Sequence, residues 1–316
     1  MYPTPVAYLA PLSTAESTLW VKRDDLTNPV YGGSKVRKLE PLLSDAKQRG
    51  AVRVVTVGTV GSHHVLATGV FGRLAGLEVE AVVLPRPHSP HVIETARASV
   101  GQGVTLVPAS SYTEALRHLS ARTDEGCYPI PAGGSNRLSS TALVAAVYEL
   151  AAQVRAGVLP EPELIVLPLG SGGTVAGLAA GLVRTGLRSR VLAVAVAEPV
   201  KVFAHKARAL ARELVDHSLR AGVLARIEIE RRYLGEGYGQ PTRASEHATR
   251  VAADVGLTLD ATYTAKAFAA ALDRIALGNE ARVLFWHTFS GAPLSPLLLS
   301  APPESELDPR VRRLAL

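Results

Sequence analysis

The chain has 316 residues, 47% of them hydrophobic and 20% charged, with a net charge of +6 and a pI near 9.5; these values exclude disorder as the default state. The arginines are scattered, with no basic block and no interleaved aromatics, which argues against a nucleic-acid partner and leaves small anionic substrates or phosphorylated cofactors to match the positive balance. No apolar run approaches the roughly 20 residues that span a bilayer, the start "MYPTPVAYLAPLSTAES" lacks the segments of a signal peptide, and the single cysteine, Cys127, cannot form an internal disulfide, so a cytoplasmic protein is expected, with Cys127 as a small buried residue.

The first element is the strand-like "LWVKRDD", followed by "YGGSKVRKLE" from Tyr31 to Glu40. Only seven lysines occur, at 22, 35, 38, 47, 201, 206 and 266, and arginine cannot replace a lysine that must lose its proton or attack a carbonyl. With Ser34 as N-cap, a helix is expected over 35–48. Its first residue, Lys35, meets the positive end of the helix dipole, which eases deprotonation as a Schiff-base nucleophile requires.

A strand is expected over 52–58, then "GTVGSHHVLATG" from Gly58 to Gly69 and a helix over 63–75 in which Leu66, Val70 and Leu74 recur every four residues. Ser62 fits the N-cap of that helix, and a helix start with a hydroxyl also suits a substrate carboxylate. His63 and His64 project about 100° apart on one helix, so they do not share a metal, and no metal site is expected. Further strands are expected over 78–85, 103–109, 163–170, 190–198 and 282–288, with helices over 137–156 and 173–186. Short continuous apolar strands alternating with helices specify an α/β fold with parallel sheets covered on both faces. The loop "YPIPAGGSN", 128–136, is the expected domain boundary. Chemistry is expected in the loops after Gly58, Leu169, Glu198 and Thr288, beyond the carboxyl ends of the strands.

"LGSGGTVAG", Leu169 to Gly177, follows a buried strand and opens a helix, so its backbone N–H groups, Ser171 and Thr174 form a cradle for a phosphate. A Walker loop is excluded because no Lys-Ser/Thr pair ends it. A dinucleotide fingerprint stays open: Gly170 and Gly172 fit, Val175 breaks the pattern, and Glu198 stands where an acidic residue could hold a ribose. A phosphate cradle, an anion-receptive helix end and an activated lysine together match what pyridoxal phosphate needs.

"KRDDLTNPVYGGSKVRKLE" resembles the lysine motif of the 1-aminocyclopropane-1-carboxylate (ACC) deaminase and D-cysteine desulfhydrase family of pyridoxal-phosphate enzymes. The resemblance extends to "VGTVGSHHVLAT", "IPAGGSN", "LGSGGTVAG", "GEGYGQP", "DATYTAKAF" and "VLFWHTFSGAP", and so covers almost the whole chain. It implies fold type II, with two open, twisted, mostly parallel sheets and flanking helices: a large cofactor-binding domain over 1–37 and 136–316, a small domain over 38–135, and a homodimer. It also implies that Lys35 bonds the cofactor and moves the proton at Cα, and that Ser62 binds the substrate carboxylate or stands beside the cofactor. Ser171, Gly172, Gly173 and Thr174 would hold the phosphate, Tyr238 and Tyr263 would be the two active-site tyrosines, and Thr288 would approach the pyridine nitrogen.

The departures bear on substrate. His63 replaces the family's asparagine at the cofactor's 3′-oxygen. Thr264 and Thr288 stand where the deaminases carry Glu and Leu, as on the desulfhydrase side, and the "HTFSGAP" loop is one residue longer than the usual form. The expected activity is α,β-elimination from a small, D-configured amino acid to a keto acid and ammonia. Alternatives are ACC deamination, serine racemase, dehydratase or β-replacement chemistry, a nicotinamide dehydrogenase, and a cofactor-binding protein without turnover.

Overall fold

A computed structural model describes residues 2–122 and 126–315. The strands in chain order are β1 (Val6–Tyr8), β2 (Thr18–Lys22), β3 (Arg53–Thr59), β4 (Glu78–Leu84), β5 (Val104–Pro108), β6 (Cys127–Ile130), β7 (Leu164–Leu169), β8 (Arg190–Ala195), β9 (Ile227–Glu230) and β10 (Arg282–Trp286). The α-helices are α1 (Ser34–Gln48), α2 (His63–Leu74), α3 (Pro90–Gly101), α4 (Tyr112–Ala121), α5 (Arg137–Arg155), α6 (Gly173–Thr185), α7 (Val200–Glu213), α8 (Arg220–Ala225), α9 (Arg243–Asp254), α10 (Thr264–Leu277), α11 (Ser295–Leu298) and α12 (Pro309–Arg312). They form two compact units, Met1–Arg37 with Ser135–Ala292, and Lys38–Gly134 with Pro293–Leu316.

In the first unit six strands lie in the order β1-β2-β10-β7-β8-β9, antiparallel only between β1 and β2. Period-2 alternation sends successive side chains to opposite faces. Ile165, Leu167, Leu169, Val191, Ala193, Leu284 and Trp286 pack with α5, α6 and α7 on one face, while Leu164, Val166, Leu192, Val194, Val283 and Phe285 pack with α9 and α10 on the other. Both faces are dry, as continuous apolar strands require. In the second unit β5-β4-β3-β6 are all parallel.

The six strands expected by range and the strand-like "LWVKRDD", which forms β2, are all present, but β1, β6 and β9 were not anticipated. At three or four residues each, they are too short to show a period. Helix α2 buries nine of its residues, including Leu66 and Val70, yet Leu74 is 68% exposed, so its apolar face ends before its last turn. Cys127 is half-buried, on β6. Helix α1 starts at Ser34 itself, not at Lys35. Residues 293–316, expected in the large domain, pack in the second unit: Arg97 donates to the Pro302 carbonyl at 2.7 Å, Ser300 Oγ to the Gly101 carbonyl at 3.0 Å, and Arg86 pairs with Ala315. No helix of the described residues is long and apolar enough to cross a membrane.

Candidate active site

The glycine pair ahead of Lys35 answers to close approaches. A Cβ on Gly32 would lie 1.9 Å from the Asp25 carbonyl oxygen, and Gly33 has φ of 94° with the Thr288 carbonyl oxygen 2.7 Å from where its Cβ would be; only glycine fits either position. Gly33 N–H donates to the Asp24 carbonyl at 2.8 Å and Ser34 N–H to the Thr288 carbonyl at 3.1 Å. Gly32 N–H donates to Ser290 Oγ at 2.8 Å, so the serine of the "HTFSGAP" loop clamps the pair from the other side. Lys35 and Thr288 thus leave one backbone junction.

Two residues past Lys35, Arg37 fixes the start of α1. Its guanidinium donates to the Asp24 carboxylate at 2.8 and 3.0 Å and to Glu149 of α5 at 2.7 and 2.9 Å. Asp24 also accepts from Trp286 Nε1 at 2.7 Å and from Thr4 Oγ1 at 2.9 Å. Asp24 is fully buried and Arg37 is 2% exposed. Removing one partner of such a pair strands a buried charge. We expect Arg37→Met to lower unfolding free energy by about 3–5 kcal/mol, measured by urea denaturation; a loss below about 1 kcal/mol, the range of surface ion pairs, would contradict this role.

Lys35 is half-buried, and its Nζ lies 5.3 Å from the centre of the Tyr263 ring. Burial holds its amine below the ordinary lysine range, opposed by the charge of Asp260. The Tyr263 hydroxyl donates to the Tyr238 hydroxyl at 2.9 Å, with the rings edge to face at 5.8 Å. Asp260 sets Tyr263 in place. Its carboxylate accepts from the N–H groups of Thr262, Tyr263 and Thr264 at 3.1, 2.9 and 3.0 Å and from Thr264 Oγ1 at 2.6 Å. Thr264 is fully buried, so its hydroxyl serves this cap and is not presented to a substrate. Asp260 and Tyr31, whose phenol is raised above its ordinary range by burial and by the Asp260 charge, had no role in the sequence reading. The sequence signal for Asp260 is an Asp four residues ahead of the Thr that opens a helix.

The turn between β7 and α6 runs beside Tyr263, whose Cε1 is 3.0 Å from where a Gly170 Cβ would be. Gly172 is left-handed, at φ 90°. A Cβ on Gly173 would fall 2.5 Å from Ser135 Oγ and 3.2 Å from Ser140 Oγ. Ser135 Oγ is 2.7 Å from Ser171 Oγ, and Ser140 Oγ, fully buried, has no hydrogen-bond partner among the described residues. First-turn N–H groups of a helix lack intrahelical acceptors. Hydroxyls, an orphaned buried oxygen and a turn that a Cβ would fill converge at the start of α6, and this donor set fits a phosphate. Ser135 and Ser140 were missed by the sequence reading because they lie on a different segment. Glu198 departs from the dinucleotide pattern: β8 ends at Ala195, and the Glu198 carboxylate accepts from Val200 N–H at 2.8 Å and pairs with Arg231 at 3.6 Å.

Ser62 and His63 belong to the second unit and the other expected site residues to the first. Ser62 is the N-cap of α2, accepting from His64 N–H at 3.2 Å. The two histidines diverge: His64 Nε2 lies 2.8 Å from Thr56 Oγ1, and His63 Nε2 lies 3.1 Å from Nε2 of His91.

Residues 1–288 match the family model described as pyridoxal-phosphate dependent enzyme. The chain is 35% identical over 300 residues to nocardicin C-9′ epimerase of Nocardia uniformis subsp. tsuyamanensis, covering 90% of each chain. It is 33% identical over 311 residues to D-cysteine desulfhydrase of Klebsiella pneumoniae (strain 342), covering 92% of each. A crystal structure of an ACC deaminase homologue superposes with a TM-score of 0.79 at 29% identity, covering 94% of both chains. With a phosphate-fitting turn, a lysine lowered by burial and this likeness over nearly its whole length, the chain belongs to the pyridoxal-phosphate dependent enzyme family, in the fold-type-II group that includes ACC deaminase and D-cysteine desulfhydrase.

Proposed function

We propose that the protein is a lyase acting by α,β-elimination on a small β-substituted amino acid of D configuration, releasing a keto acid and ammonia. The observation that carries this reading is the lysine amine held at 5.3 Å over Tyr263, with the Tyr238 hydroxyl in contact with that of Tyr263: a base and a pair of phenols on neighbouring segments. Bound pyridoxal phosphate supplies an electron sink that acidifies the Cα–H bond of an attached amino acid. Lys35 holds the cofactor and takes the Cα proton. The bond from Cβ to its substituent breaks, the leaving group departs with a proton from Tyr238 or Tyr263, and the freed 2-aminoacrylate takes up one water to give the keto acid and ammonia. Ser171, Gly172, Gly173 and Thr174 would hold the phosphate. By the resemblance of their motifs, Thr288 would offer the ring nitrogen a hydroxyl in place of a carboxylate, which favours prompt elimination, Ser62 at the start of α2 would take the substrate carboxylate, and His63 would serve the cofactor's 3′-oxygen. The protein works as a homodimer in the cytoplasm.

With Thr264 tied to Asp260, no acid stands at that position to attack a cyclopropane ring. We expect kcat/KM for D-cysteine or β-chloro-D-alanine to exceed that for ACC by at least about tenfold, roughly 1.4 kcal/mol in transition-state preference. Faster turnover of the cyclopropane substrate would sink the assignment.

A second reading, inversion at Cα, draws on the 35% identical relative named as an epimerase. The two separate in D2O: inversion exchanges the Cα proton and returns amino acid of both hands, whereas elimination accumulates keto acid.

A further inference from the structure

We propose that Lys266 is the positioning residue that holds the Tyr238 loop against α10 and so sets the Tyr238–Tyr263 hydroxyl pair. This rests on the proposed roles of the two tyrosines. Lys266 lies on α10 three residues beyond Tyr263 and is completely buried. Among the described residues no carboxylate pairs with it. Its Nζ donates instead to the Leu234 carbonyl at 2.7 Å and the Gly237 carbonyl at 2.9 Å.

Those two carbonyls close consecutive turns. Gly237 N–H donates to Leu234 O at 3.2 Å and Gln240 N–H to Gly237 O at 3.4 Å, so one ammonium ties down both turns, the second of which contains Tyr238. Gly235, Gly237 and Gly239 all have positive φ, at 60°, 116° and 79°, and a chain with that many glycines loses much conformational freedom when ordered. Tyr263 is placed by Asp260, so α10 carries both one phenol and the anchor for the other. A shorter or apolar side chain at 266 leaves two buried carbonyls short of a donor. Burial pushes the Lys266 amine below its ordinary range, yet a neutral amine still carries the two N–H groups needed here, so the anchor survives loss of the charge.

The test is a double-mutant cycle in the holoenzyme with Lys266→Met and Tyr238→Phe. We expect Lys266→Met to lower kcat about tenfold or more with KM changed less than about twofold, and Tyr238→Phe to cost less than about twofold further in that background. Hydrogen exchange at the 235–240 amides should rise at least tenfold in Lys266→Met while α10 amides stay unchanged. Losses that multiply independently, with unaltered exchange in the loop, overturn the proposal. Lys266→Gln, which keeps N–H donors, should recover part of kcat; it replaces Lys266→Met in the cycle if the latter does not fold. Should Tyr238→Phe alone leave kcat intact, the tyrosine assignment fails, and the exchange measurement still decides the anchoring role.

Discussion

We expect Lys35→Ala to abolish turnover and the visible absorption of lysine-bound cofactor. Removing a residue that both holds the reacting group and moves the proton costs at least about 10³-fold in kcat, about 4 kcal/mol, because the remaining groups act only through it. Arginine does not restore it, since a guanidinium stays protonated at any pH the protein survives. The structure adds a reason for its reactivity beyond the helix dipole: burial disfavours the ammonium. Burial therefore leaves a larger share of this amine unprotonated at neutral pH than it would have in water. Retention of full activity by Lys35→Ala would require a different lysine. Lys38 donates to the Gly133 carbonyl, and Lys22 and Lys266 are both fully buried in hydrogen bonds.

The second large effect is expected at the phosphate turn. Gly172→Asp with Thr174→Val weakens pyridoxal-phosphate affinity by at least about 100-fold, roughly 2.7 kcal/mol. One change places a negative charge beside a dianion and forces a side chain into a left-handed backbone. The other deletes a hydroxyl donor at the start of α6. A Cβ at 172 would also lie 3.1 Å from the Ala207 backbone, so affinity is measured by titrating pyridoxal phosphate into variant protein whose far-UV circular dichroism matches wild type. Unchanged affinity in such folded protein would mean that the phosphate is held elsewhere.

Both of these effects fall on segments that could be read from the chain alone. Glycine spacing in "YGGSK" and "LGSGGT" dictates backbone geometry locally, and the apolar runs around them fix strands and helix starts within a residue or two. What escaped the reading depends on partners distant in sequence. Ser135 meets Ser171 across 36 residues, Asp24 meets Trp286 across 262, and Lys266 reaches Leu234 across 32. No local period encodes such pairings. Thr264 was read only as a departure that bears on substrate; that its hydroxyl donates to Asp260 is revealed by the folded geometry alone. His63 was read as a cofactor neighbour, and its contact with His91, 28 residues further along on α3, had no signal in the loop that carries it.

The most direct measurement is borohydride reduction of protein loaded with pyridoxal phosphate, followed by peptide mapping. Reduction converts the bond between cofactor and amine into a stable pyridoxyl label. The label should sit at near-stoichiometric yield on the peptide containing Lys35 and be absent from Lys35→Ala. Label on Lys38 or Lys266 instead, or no label in protein that retains the cofactor's absorption, would contradict the assignment of Lys35.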